Sequence, residues 1–309
     1  MKKIILISIF LIVMIILIFN IIKLNKKDNV NTEEKYYIQS GAIYEKTGDI
    51  NKSAVENNIS KINSICDKYP NNMNIYFSII PDKEYYLKKS INTEFVEIEN
   101  TVISNLNKRT KYFSIKDLLS LEDFYKTDMH WKQENLQDIV ENIEKELDAD
   151  IKSDIDYEVE SLGDFFGSYY TKIENNNILS DELKYLNNSV IKNCKVYNEE
   201  TKTEEKIYNL EKVNESKNKY DLFLSGATAI TTITNEKANT DKKLILFRDS
   251  FGSSIAPLLV KDYKEIILID IRYVNSTILE NYINFNKYKE ADVLFLYSSR
   301  VINKSGIFR

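Results

Sequence analysis

The first thirty residues show no alternation of apolar and polar positions. Residues 4 to 22 (IILISIFLIVMIILIFNII) form an apolar run of about nineteen residues, broken only by Ser8 and Asn20, long enough to cross a bilayer as a helix. No small-residue cleavage site follows; Lys23, Leu24, Asn25, Lys26 and Lys27 come next, so the run reads as an uncleaved anchor rather than a signal peptide. Lys2 and Lys3 on one side face Lys23, Lys26 and Lys27 on the other, so charge alone does not orient it. The expected organisation is a transmembrane anchor over 1–24, a polar tether over 25–35 and one folded domain over 36–309.

Beyond the tether the pattern changes register several times. Tyr36 to Tyr44 (YYIQSGAIY) reads as a strand pair turning at Ser40-Gly41. A helix is expected from Ser53, with Ser53 and Glu56 as a capping box. Val55, Ile59, Ile62, Cys66 and Tyr69 recur at helical spacing along it, which puts Cys66 on the buried face. Asn74 to Ile80 (NIYFSII) is a continuous apolar run, the mark of a strand buried on both faces as in a parallel sheet. Tyr112 to Ile115 is a short strand candidate. Leu136, Ile139, Val140, Ile143 and Leu147 form one apolar stripe of an amphipathic helix. The charged stretch 198–219 reads as a solvated hairpin or insertion. Five strand candidates follow: Tyr220–Leu224, Ile230–Thr234, Leu244–Phe247, Glu265–Asp270 and Asp292–Tyr297. The last three are nearly pure apolar runs separated by helical stretches, which suggests βαβ units.

Composition then narrows the function. Of 309 residues, 43% are hydrophobic and 29% charged, enough to build a core and too apolar for disorder throughout. A net charge of -5 argues against a nucleic-acid partner, which would require a basic face. Two cysteines, Cys66 and Cys194, make neither a zinc site nor a disulfide framework. There is one histidine, so any imidazole chemistry passes through His130, and neither a metal nor another cofactor is expected.

Two segments carry candidate chemistry. Leu244 to Leu259 (LILFRDSFGSSIAPLL) reads as strand, polar turn and helix, placing Ser250 beyond the carboxyl end of a strand, where ligands of open α/β sheets bind. The following helix start can stabilise an oxyanion with its N–H groups and dipole; equally, Asp249 or Ser250 can cap that helix. In Phe124 to Trp131 (FYKTDMHW), an extended backbone would project Asp128 and His130 to the same side. A carboxylate there fixes the imidazole tautomer and frees its other nitrogen as a base, which a serine nucleophile requires. The bland alternatives are a structural histidine near a loop and an aspartate that caps the next helix. Trp131, with Tyr169 and Tyr170, can stack on sugar rings or pack in the core. Arg272 and Lys83 stand at strand ends, as anion binders or as members of ion pairs.

TDMHW followed far downstream by RDSFGSSIAPLL resembles the DHHW family of Firmicute surface proteins, relatives of the SGNH-hydrolase-like alginate O-acetylation proteins. Ser78 to Tyr86 (SIIPDKEYY), Phe165 to Lys172 (FFGSYYTK), Tyr220 to Gly226 (YDLFLSG) and Ile269 to Asn275 (IDIRYVN) resemble further blocks of that family. Met129 stands where the family has a second histidine, Lys132 where it often has threonine, and Arg248 where the wider SGNH group has glycine. The resemblance implies a three-layer α/β domain with a mainly parallel sheet. It also implies Ser250 as nucleophile, His130 as base and Asp128 as the group orienting it. The Ser250 N–H and Gly226 are the oxyanion candidates, with Asp249, Arg248, Arg272 and Trp131 near the substrate. The implied activity is O-acyl transfer or ester hydrolysis on cell-surface carbohydrate outside the cytoplasmic membrane. A membrane-bound acyltransferase is the implied acyl donor. The alternative is a fold retained without catalysis, binding glycan or an envelope partner.

Overall fold

The computed structural model describes residues 35–70, 73–87, 93–149, 156–173, 177–216 and 218–309. The expected anchor and nearly all of the tether lie outside these residues. Among the described residues no helix is long and apolar enough to cross a membrane.

The first element among the described residues is a hairpin of β1 (Tyr36–Gln39) and β2 (Ala42–Glu45), with Tyr37 opposite Tyr44. Ser40 and Gly41 both have positive φ, 49° and 77°. That is the type I′ geometry whose twist suits a two-residue hairpin, and a glycine adopts it without Cβ strain. The helix Lys52–Cys66 follows. Its cap is Asn51, whose side chain accepts the Ala54 N–H, rather than the expected Ser53 box. Val55, Ile59, Ile62 and Cys66 are buried along it as the spacing predicts.

The remaining strands are β3 (Ile75–Ile80), β4 (Thr110–Tyr112), β5 (Glu158–Phe165), β6 (Asp181–Asn187), β7 (Lys195–Asn198), β8 (Thr203–Glu205), β9 (Ile230–Thr234), β10 (Lys243–Arg248), β11 (Glu265–Ile269) and β12 (Asp292–Ser298). Eight of them form one sheet in the order β4-β3-β12-β10-β11-β9-β7-β8. From β4 to β11 every neighbouring pair is parallel; β9, β7 and β8 join antiparallel.

The apolar runs of β3, β10, β11 and β12 are explained by two covered faces. Phe77, Ile79, Ile245, Phe247, Ile267 and Phe295 face the helices Lys52–Cys66 and Glu94–Asn105. The intervening Tyr76, Leu244, Leu246, Leu268 and Leu294 face the helices Gln137–Glu146 and Gly252–Leu259. Alternation with period two on strands apolar at every position gives three layers.

Three expectations are corrected. The strand expected at 112–115 is β4, shifted to Thr110–Tyr112. Tyr220–Leu224 is no strand: Lys219–Leu222 is a 3-10 turn, and Leu224, Ser225 and Gly226 all have positive φ, which no strand admits. The charged stretch 198–219 supplies β8, which forms a hairpin with the preceding β7 and extends the main sheet through β9, and the short helix Leu210–Glu215.

Candidate active site

Strand β10 ends at Arg248, and the turn Asp249-Ser250-Phe251 leads into the helix Gly252–Leu259. Buried Asp249 sets the shape of this turn. One carboxylate oxygen accepts the Phe251 N–H at 3.1 Å, and the other accepts the Ser298 N–H at 2.8 Å. The turn is thereby tied to the carboxyl end of the neighbouring strand β12.

Phe124 to Trp131 is a closed loop rather than the extended segment that alternation assumed. Phe124 and Trp131 form an antiparallel bridge, and the Tyr125 N–H donates to the His130 carbonyl at 3.1 Å. Asp128 meets His130 because its side chain folds back, accepting the His130 backbone N–H at 2.9 Å and the ring Nδ1–H at 2.5 Å on the same oxygen. Its second oxygen accepts the Ser168 N–H at 2.6 Å. Burial of Asp128 acts to raise its carboxyl, but the His130 charge and these hydrogen bonds outweigh it and hold the group far below the usual carboxylate range.

A carboxylate only accepts, so Nδ1 of His130 carries the proton and Nε2 of the neutral ring presents a lone pair. The Ser250 hydroxyl donates to that lone pair at 2.7 Å. The structure thus brings Ser250, His130 and Asp128 into one hydrogen-bonded line.

Several groups the sequence did not single out fix this line in place. Tyr220 stacks on the imidazole, ring centroids 3.8 Å apart and 9° from parallel, while Phe251 leans on it at 4.8 Å. The Ser254 hydroxyl accepts from Tyr220 Oη and Trp131 Nε1, both at 2.8 Å, and donates to the Phe251 carbonyl at 3.2 Å. Gln133 donates to the Ser254 carbonyl at 2.6 Å and accepts the Leu186 N–H at 2.7 Å. Ser254 stands in the first turn of the helix that Ser250 leads into, and that nearness is the one signal that could have found it.

The other sequence candidates fall elsewhere. Trp131 is fully buried, so it packs rather than stacking on a sugar. Tyr169 is buried too, and Tyr170 leans on Phe166 with ring centroids 4.3 Å apart. The Gly226 N–H donates to the Phe223 carbonyl at 3.2 Å, so it is not offered as an oxyanion donor. Buried Arg248 donates to the Asp249 carbonyl and to Thr228 Oγ1, both at 3.3 Å, and lies 4.0 Å from the Asp270 carboxylate. Arg272 grips Asp270 through two N–H groups at 2.8 and 2.6 Å, the ion-pair alternative, yet still lines the cavity beside Ser250. Among the described residues Lys83 makes no ion pair; its ammonium is buried against backbone carbonyls.

That cavity has a volume of about 510 Å³ and is bordered by Ser250, Met129, Arg272, Arg300, Tyr36 and Phe95. Among the described residues no group of three or more His, Cys, Asp and Glu could hold a metal ion.

A serine at the carboxyl edge of a mainly parallel sheet, hydrogen-bonded to a carboxylate-held imidazole, marks an α/β protein with a Ser-His-Asp constellation. The DHHW protein family model matches residues 88–269, more than half of the chain, and the chain belongs to the DHHW family. Among solved structures it is similar to a DHHW family protein from Eubacterium siraeum, at 19% identity and a TM-score of 0.68, over 88% of this chain and 95% of that one. It is similar to Bacillus cereus PatB1 at 19% identity and a TM-score of 0.65, over 89% and 98% of the two chains. A PatB1 structure with a sulfonyl adduct gives 16% identity, a TM-score of 0.65 and coverage of 88% and 97%. No curated protein sequence matches.

Proposed function

We propose that this protein is a membrane-anchored O-acyltransferase or esterase that works outside the cytoplasmic membrane on cell-surface polysaccharide. The observation that supports it best is the unbroken line Asp128–His130–Ser250, with contacts of 2.5 and 2.7 Å. In the reaction the Ser250 Oγ attacks the carbonyl carbon of an acetyl ester while Nε2 of His130 takes the hydroxyl proton. Asp128 offsets the positive charge that develops on the ring. The tetrahedral oxyanion faces the Ser250 N–H, which has no partner among the described residues. Collapse breaks the ester C–O bond, His130 protonates the departing alcohol, and acetyl-Ser250 remains. A sugar hydroxyl or water, deprotonated by His130, then takes the acetyl group and restores the serine.

The apolar run 4–22 supports the membrane anchor, and the family supports an extracytoplasmic body with a membrane-bound acyltransferase as donor. A second reading, a glycan- or partner-binding envelope protein without turnover, is favoured by one observation: the Gly226 N–H is already given to Phe223. One experiment separates them. Detergent-solubilised full-length protein is exposed to a sulfonyl fluoride or fluorophosphonate probe and to a chromogenic acetyl ester. Labelling and hydrolysis by wild type, both abolished in Ser250→Ala and His130→Ala, support the enzyme. Wild type that takes up no probe and turns over no ester removes that reading and leaves the binding protein.

A further inference from the structure

The loop that carries Asp128 and His130 is held by backbone bonds, from the Ile43 N–H to the Lys126 carbonyl and from the Tyr169 N–H to the Thr127 carbonyl, and by side chains outside it. On one side Asp181 of β6 accepts the N–H groups of Lys126 and Thr127, both at 2.8 Å, and the Thr127 hydroxyl at 2.6 Å. On the other side stands Lys83. Its Nζ donates to the carbonyls of Tyr125 at 2.9 Å, Lys126 at 3.1 Å and Asp128 at 2.7 Å. The rings of Tyr44 and Tyr169 lie 5.2 and 5.0 Å from the same atom. The side chain is almost fully buried.

An ammonium has three N–H donors and the loop offers three carbonyls, so every donor is used. A neutral amine keeps two donors and must release one carbonyl.

We propose that Lys83, as an ammonium, is a positioning residue that latches the Asp128–His130 loop in its reactive geometry, and that loss of its proton unlatches it. The inference deepens the acyl-transfer reading and rests on it for its kinetic consequences alone. Burial lowers Lys83 to about 8, against the pull of the Asp128, Asp82 and Asp181 carboxylates and with the opposing charge of Arg300. The other titratable groups against it are the Tyr44 and Tyr169 phenols, which burial pushes upward and out of that range. The latch is therefore closed at neutral pH and opens as pH rises through about 8.

The single histidine makes the test clean, because one low-field Nδ1–H resonance reports the Asp128–His130 contact in the intact protein. In wild type that resonance should be strong at pH 7 and be lost by pH 9.5. In Lys83→Met it should be absent or shifted at pH 7. Hydrolysis of the acetyl ester should show kcat falling above about pH 8 in wild type. In Lys83→Met, kcat should be roughly a hundredfold lower, with KM within about threefold and no alkaline fall. Lys83→Arg, which keeps the charge at all these pH values, should retain the resonance to pH 9.5. A wild-type resonance that persists unchanged to pH 9.5 overturns the latch, as does a folded Lys83→Met protein with the wild-type resonance. The resonance is read without turnover, so an inactive wild type would sink the acyl-transfer reading and leave this one standing or falling by itself.

Discussion

The imidazole of His130 lies flat on the ring of Tyr220, 3.8 Å between centroids and 9° from parallel, and both are buried. A ring held this way cannot swing out of line with Ser250. The π face of Tyr220 also favours the imidazolium that forms when the serine loses its proton. Tyr220→Leu removes the stack and should lower kcat for acetyl-ester hydrolysis by roughly tenfold, as expected for an interaction of about 1.4 kcal/mol. Tyr220→Phe keeps the stack and should stay within about threefold of wild type. Equal losses in both variants would show that the hydroxyl, not the ring face, matters.

Ser254 has two lone pairs and one proton, and all three are used: Trp131 and Tyr220 donate to it and it donates to the Phe251 carbonyl. Ser254→Ala leaves the indole N–H and the phenol O–H buried without an acceptor. The cost should be roughly 2 kcal/mol or more, measured as a shift of the denaturant midpoint. In the double variant Ser254→Ala with Tyr220→Phe, one of the orphaned donors is gone. Its loss should be smaller than the sum of the two single losses, and strict additivity would count against the shared hydroxyl.

Much of this arrangement can be read along the chain. Strands β3, β10, β11 and β12 announce themselves as apolar at nearly every position because both their faces are covered. Ser250 follows from them, since it sits where β10 ends. The hairpin β5–β6 is hard to see in the sequence: Glu158, Val159, Glu160 and Asp164 carry little or no core pattern on β5, which is largely exposed. In the sequence Tyr220 reads as a strand residue because Tyr220, Leu222, Phe223 and Leu224 are apolar. The left-handed backbone at Leu224, Ser225 and Gly226 overrides that pattern. Asp128 and His130 do pair, but through a folded loop and a side-chain-to-backbone bond rather than strand alternation. What local sequence conceals is the long-range part: Ser254 meeting Trp131, or Lys83 meeting the Asp128 carbonyl, depends on which elements the sheet brings together.

Asp128 links this geometry to pH. Its carboxyl is held below its unfolded value, which is about 3.9. The stabilisation is therefore fully present above about pH 4 and is lost as the pH falls below that and the carboxylate takes up a proton. Asp128→Asn should flatten the acid limb of the stability profile below about pH 4, seen in thermal unfolding between pH 6 and pH 3. At neutral pH the amide can donate to Nδ1 and favour the wrong tautomer, and kcat should fall by roughly 10⁴-fold. An Asp128→Asn protein with wild-type turnover would remove Asp128 from the site.

Gly167 lies against the other side of that carboxylate. A Cβ built there would stand 2.3 Å from the Asp128 Cβ and 2.6 Å from its Oδ2, closer than side chains pack. The Gly167 N–H also donates to Thr127 Oγ1 at 2.9 Å, so its backbone cannot retreat without breaking the contact that seats the loop. Gly167→Ala should therefore push Asp128 away from His130. The expected result is destabilisation of about 1–3 kcal/mol from overpacking, with kcat for acetyl-ester hydrolysis down by roughly a hundredfold. Gly48 has open space around its Cβ position and an ordinary φ, so Gly48→Ala should leave the midpoint of unfolding unchanged or slightly raised. If both alanine variants unfold and turn over alike, the close approach at Gly167 has no bearing on the site.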